Sequence, residues 1–149
     1  MKKLISLILM LGLFLMVACA NGNQGDEKMK IQIDIKSDSG NHTLTATLEN
    51  NSSAVAFYEI LQKGAVTISM RDYGNFEKVG SLGKTLPRND KQITTSAGDI
   101  ILYQGNQITI YYDKNSWNFT RLGKVDDVSQ LKKILGKGNV TAVFSILEQ

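Results

Sequence analysis

One thiol and one imidazole limit the chemistry open to this chain. Cys19 is the only cysteine and His42 the only histidine. Zinc sites are built mainly from several Cys and His side chains, so no zinc centre, and no cofactor, is expected. His42 follows the turn sequence Asp38-Ser39-Gly40-Asn41 and reads as a solvent-facing turn residue. A Ser-His-Asp set would have to recruit it, and the chain has no Gly-x-Ser-x-Gly elbow. Gly80-Ser81-Leu82-Gly83-Lys84-Thr85 resembles a phosphate loop only superficially. Its glycines stand too close together, and Leu86-Pro87-Arg88 opposes the helix whose N–H groups would hold phosphate. Asp126 and Asp127 precede a helical stretch, where carboxylates favour the helix N-terminus. They are read as structural charges rather than paired acid catalysts. No catalytic set is assigned.

Binding chemistry is better represented. Tyr73 and Phe76 lie in an irregular region, Tyr103 and Tyr112 at strand ends and Trp117 in a loop, and Arg71 ends a strand beside them. Tyr, Trp and Arg dominate interaction hot spots, and an apolar cleft with a few polar groups is the usual ligand site. A groove formed by Arg71, Tyr73, Phe76, Tyr103, Tyr112 and Trp117 is therefore expected, taking a peptide or small molecule. Core packing is the competing use for some of these rings.

The elements that must position them follow from periodicity. Met29, Ile31, Ile33 and Ile35 alternate with polar residues, as do Leu44, Ala46 and Leu48, which predicts a hairpin around Ser39-Gly40. Asn50-Asn51-Ser52-Ser53 offers helix caps, Ala54, Phe57 and Leu61 form a buried stripe, and Gly64 ends the helix. Val66, Ile68 and Met70 resume a strand. Residues 72–97 carry no clear core pattern and are expected to form an irregular surface excursion with short strands. Ile100–Tyr103 and the alternating Ile108, Ile110 and Tyr112 predict a second hairpin about Gly105-Asn106. A further strand is placed at Thr120–Val125. Asp127 and Gln130 suggest a capping box for a helix burying Val128, Leu131 and Ile134, with Gly136 at its end. Val140, Ala142, Phe144 and Ile146 make a central last strand, because both of its faces are apolar. The expected fold is mainly β: a closed barrel of about eight strands with two capping α-helices.

The N-terminal segment has its own logic. Lys2 and Lys3 precede an apolar run from Leu4 to Ala18, which is the secretory signal pattern. The run is short for a membrane span, which needs about 20 residues. Leu15-Met16-Val17-Ala18-Cys19 resembles a bacterial lipobox, with Met16 where Leu is usual. Residues 1–18 are read as a signal peptide, 19–28 as lipidated Cys19 plus a flexible tether, and 29–149 as the domain. The implied partner is the lipid bilayer, reached through acylated Cys19, and the implied location is the extracytoplasmic face of a bacterial membrane. Loss of Lys2 and Lys3 leaves 15 basic against 14 acidic residues, a net charge of +1. That balance argues against a nucleic-acid partner. Oligomeric state is left open.

Met29–Leu48, the helix around Phe57, Ser96–Tyr103, Gln107–Tyr112 and Trp117–Val125 together resemble the small bacterial cyclophilin-like domain family. The resemblance covers nearly all of Met29–Gln149 and implies an eight-stranded barrel capped by two helices. True cyclophilins isomerise peptidyl-proline bonds, whose uncatalysed barrier is about 18–20 kcal/mol. Their active face carries an Arg within a Phe-x-Arg-x-Ile/Val-x-x-x-Phe-x-x-Gln-Gly-Gly pattern. Here Thr67–Phe76 supplies Arg71 and Phe76, but the spacing differs and the Gln-Gly-Gly element is absent. The expectation is a binding or accessory module without a complete isomerase site. A divergent prolyl isomerase is the alternative.

Overall fold

A computed structural model describes residues 27–148. The expected signal peptide, residues 1–18, and Cys19 lie outside the described residues. Elements follow in the order β1 (Lys30–Ser37), β2 (Gly40–Leu48), α1 (Ser52–Lys63), β3 (Val66–Tyr73), β4 (Glu77–Ser81), β5 (Lys91–Thr94), β6 (Asp99–Tyr103), β7 (Gln107–Tyr111), β8 (Ser116–Val125), α2 (Leu131–Leu135) and β9 (Val140–Ile146). Eight strands close into an antiparallel barrel, β2-β1-β9-β3-β4-β7-β6-β8, with β8 returning to β2. β5 lies outside that circuit, paired with the first half of β8.

Alternating side chains fill the barrel. Ile31, Ile33, Ile35, Ile68, Met70, Ile100, Leu102, Ile108, Ile110 and Phe144 form its buried interior. Helix α1 packs one face on it, burying Ala54, Phe57 and Leu61. Phe57 meets Phe144 edge-on, with ring centroids 5.7 Å apart. The Asn51 side chain accepts from the Ala54 amide at 2.8 Å, and the Gly64 N–H closes the last turn on the Leu61 carbonyl.

Residues 72–97 hold the expected short strands: β3 runs on to Tyr73, and β4 and β5 lie within the stretch. The expectations for α2 and the acidic pair before it change. Helix α2 has no capping box. Gln130 is its N-cap without a side-chain bond, and Asp127 instead accepts from the Ser129 amide at 3.0 Å. Val128 is correspondingly exposed, while Leu131 and Leu135 are buried. Asp126 does not serve the helix either. It accepts from Thr45, Thr47 and Lys30, fastening the end of β8 to β1 and β2. Burial alone would raise its pKa. The hydrogen bonds from Thr47, Thr45 and Lys30, with the Lys30 charge, outweigh that and hold it below the usual value.

Barrel closure depends on a close approach. β2 pairs with β8 at Ala46–Val125, Thr47–Lys124 and Leu48–Gly123. A Cβ on Gly123 would strike the Thr47 carbonyl oxygen and the Leu48 Cα, both backbone atoms. Gly123→Ala is therefore expected to destabilise the domain by about 1–3 kcal/mol in urea unfolding, as overpacking does. An unchanged midpoint would show that the seam yields freely.

Candidate functional site

Residues that face each other across a sheet lie on the same side of it. In the stretch β3-β4-β7-β6-β8, Arg71 is opposite Val79 and Tyr73 opposite Glu77. Glu77 is then opposite Tyr111, and Tyr103 opposite Gln107. These side chains point away from the barrel interior. With Asn115, Trp117 and Phe119 they line a pocket of about 340 Å³ on the outer wall, within the usual size range for small ligands.

Beneath the pocket is a second apolar cluster, separate from the barrel interior. Ile101, Tyr111 and Phe119 are buried there, with Phe76, Ile93 and Tyr103 packed against them. Tyr111 lies between Phe76, stacked at 6.0 Å, and Phe119 at 5.7 Å. Tyr103 meets Phe119 edge-on at 6.1 Å. The rim is different in character. Tyr73 is 56% exposed and Trp117 59% exposed, and their strands β3 and β8 bound the stretch on either side. Packed rings thus hold the floor in place, while open rings remain for contact.

Glu77 gives the pocket its buried charge, beside the exposed cation Arg71. Glu77 is 7% exposed, and its Oε2 has no hydrogen-bond partner. Burial raises its pKa. The neighbouring Tyr111 hydroxyl and the Arg71 charge pull it back without reversing the shift, and Asp72 adds to the rise. Burial, reinforced by the Glu77 carboxyl, also pushes the Tyr111 phenol well above its ordinary value. The Asn115 amide donates to the Tyr111 oxygen at 3.4 Å. Among the described residues no three His, Cys, Asp or Glu side chains form a metal-ligand group.

Four of the residues expected in a groove therefore come together: Arg71, Tyr73, Tyr103 and Trp117. Trp117 does so from within β8 rather than from a loop. Phe76 does not line the pocket; it supports Tyr111 from behind and meets Tyr73 edge-on at 5.9 Å. Tyr112 faces the opposite side of the wall. Its hydroxyl donates to Asp72 Oδ1 at 2.6 Å, and Lys78 Nζ lies 5.7 Å from its ring centroid. The strand period predicts this: with Ile108, Ile110 and Tyr112 inward, Gln107 and Tyr111 must point outward. Sequence reasoning missed Tyr111 although that alternation contained it. It also missed Glu77, Val79, Gln107, Asn115 and Phe119. Glu77 and Val79 were hidden because β4 was not recognised as a strand.

Comparison with known proteins agrees with this architecture. A family model described as the cyclophilin-like family matches residues 38–145. No curated protein matches the chain. The solution structure of a hypothetical protein from Archaeoglobus fulgidus is similar, with a TM-score of 0.57 and 12% identity, covering 83% of this chain and 99% of that one. At that identity the likeness concerns the fold alone.

Proposed function

The chain belongs to the cyclophilin-like family, and from that premise we propose that it is a lipid-anchored extracytoplasmic binding or accessory module. Its outer-wall pocket takes a peptide or small molecule. The observation that carries this reading is the pocket itself: five aromatic rings and Glu77, a buried residue with one unpartnered carboxylate oxygen, line a cavity of about 340 Å³. Buried polar atoms in folded proteins nearly always find partners, so a small shift of the Glu77 carboxyl toward the cavity would let a ligand donor satisfy it. The anchoring half of the proposal is supported by the apolar run from Leu4 to Ala18 and by Cys19 at its exit.

Peptides selected on the immobilised domain provide the test. Trp117→Ala and Tyr73→Ala should each weaken their binding about tenfold, as loss of an exposed aromatic hot spot does. Peptides that bind both variants as tightly as the parent would place the binding surface elsewhere.

Prolyl isomerisation is the second reading. What favours it is the position of Arg71 in the pocket wall beside the aromatic rings. A protease-coupled proline assay decides it. A rate that Arg71→Ala abolishes supports the reading, and no rate above background removes it.

A further inference from the structure

We propose that the ligand of this pocket carries an alkylammonium group on an apolar stem, and that the Glu77 carboxylate, which lines the pocket and has one oxygen without a donor, is the acceptor for that ammonium. The inference rests on the binding role given to the pocket and names the chemistry the pocket selects.

Three observations converge on it. First, the ionised Glu77 carboxylate can only accept hydrogen bonds, and its Oε2 has no donor. The missing partner is therefore a donor. Second, the lining around it is largely aromatic, with Tyr73, Tyr103, Tyr111, Trp117 and Phe119. Ring faces attract cations and also receive apolar stems. A carboxylate with several rings suits a cation on a hydrocarbon chain better than an anion, which Glu77 would repel. Third, the one cationic residue of the lining acts on Glu77 through its charge but makes no direct ion pair with it. Arg71 is solvent-exposed, and among the described residues it forms no salt bridge with Glu77. It stays available for a carbonyl or carboxylate elsewhere on the same ligand. Burial already disfavours the charged form of Glu77, a penalty that an incoming cation relieves.

Alkylammonium groups come from free amines or from lysine side chains, and the probes separate these sources. Trp117 is the only tryptophan of the chain and lines the pocket, so its fluorescence reports occupancy directly. The domain is titrated with n-butylamine, N-acetyl-lysine methylamide, the neutral N-acetyl-norleucine methylamide and the anionic N-acetyl-glutamate methylamide. The lysine probe should bind about 10- to 100-fold more tightly than the norleucine probe, the span of one charge-assisted hydrogen bond. The glutamate probe, which only Arg71 could attract, should bind more weakly than the lysine probe. Butylamine binding as tightly as the lysine probe assigns a free amine, whereas a tighter lysine probe assigns a lysine side chain. Glu77→Gln, which keeps the shape of the side chain, should reduce lysine binding to the norleucine level and leave norleucine binding unchanged. A thermal melt checks that this variant is folded.

Norleucine binding as tightly as lysine, or full lysine affinity in Glu77→Gln, overturns the inference while leaving a ligand pocket in place. No response to any of the four probes overturns it too. If selected peptides also fail to perturb Trp117, the binding role itself falls.

Discussion

Lys78→Met is expected to cost about 1.5–3 kcal/mol of folding stability, the range for losing a charge-assisted hydrogen-bond donor, because Lys78 is buried while its partner Asp72 is partly exposed. Lys78 is fully buried and points into the barrel, although it lies on a strand whose outward neighbours form the pocket. Its ammonium donates to Asp72 Oδ1 at 3.0 Å, to the Gly136 carbonyl at 3.0 Å and to the Gly138 carbonyl at 2.7 Å. All three of its protons are thus used. Lys78 and Asp72 are direct cross-strand partners, and the two glycine carbonyls belong to the turn that follows α2. One side chain therefore ties β3, β4 and the α2 turn together at that end of the barrel. Methionine fills similar volume but removes the donor to the Gly136 and Gly138 carbonyls and one of the two donors to Asp72 Oδ1, which keeps the Tyr112 hydroxyl.

Acid should narrow the difference. Burial alone would raise the Asp72 pKa, but hydrogen bonds from Tyr112 and Lys78, with the Lys78 charge, hold it below its usual value of 3.8. A lowered folded-state pKa contributes stability that is complete above the unfolded value and is lost as pH falls through the folded one. Urea unfolding at neutral pH and again below pH 3.8 reads both effects. A loss under about 1 kcal/mol at neutral pH would be an ordinary surface-like effect and would contradict this account. The double variant Lys78→Met with Asp72→Asn should regain part of the loss, since replacing a whole buried pair is often close to neutral.

Cys19→Ala is the second large effect, expressed in location rather than folding. Each buried acyl CH₂ contributes about 0.8 kcal/mol, so two or more chains hold a protein firmly on a bilayer. On the proposed anchoring, no acyl chain is attached without the thiol. The variant should pass from the detergent phase to the aqueous phase on partitioning, with the melting temperature of the domain unchanged. Recovery of Cys19→Ala in the lipid-modified membrane fraction would show that the anchor is misread.

How far the sequence could be read depended on whether polarity followed the strand period. β1 and β2 alternate cleanly and β9 is apolar on both faces, so the hairpin and the central strand were legible. So was α1, whose cap, stripe and terminal glycine all agree. β4 was not legible, because it reverses the usual pattern. Lys78 and Gly80 face inward, and Glu77 and Val79 face the pocket. A charged residue and a glycine on the inner face give no hydrophobic period, and the ion pair that permits them is a tertiary fact. The first half of β8 was hidden for a related reason. Ser116, Trp117 and Asn118 are all exposed, and their strand state depends on pairing with β5.

The site shows the same division. Arg71, Tyr73, Tyr103 and Trp117 were accessible by residue type, since exposed or half-exposed aromatics and an arginine attract notice wherever they fall. Tyr111 and Tyr112 show where residue type misleads. Adjacent residues on a strand face opposite ways, so only one of the two can reach the wall pocket. Tyr112 continues the inward row of Ile108 and Ile110, and it therefore meets Asp72 and Lys78 on the side away from the wall pocket. Phe76 shows a third case, an aromatic residue that supports the pocket floor without entering it.

Backbone and side-chain NMR of the labelled domain, titrated with a peptide library, tests the central claim most directly. The account predicts that shifts concentrate at Arg71, Tyr73, Glu77, Tyr103, Tyr111 and Trp117, on one outer face of the barrel. Shifts confined to other surfaces, such as the α2 end around Lys132, Lys133 and Lys137, would contradict it.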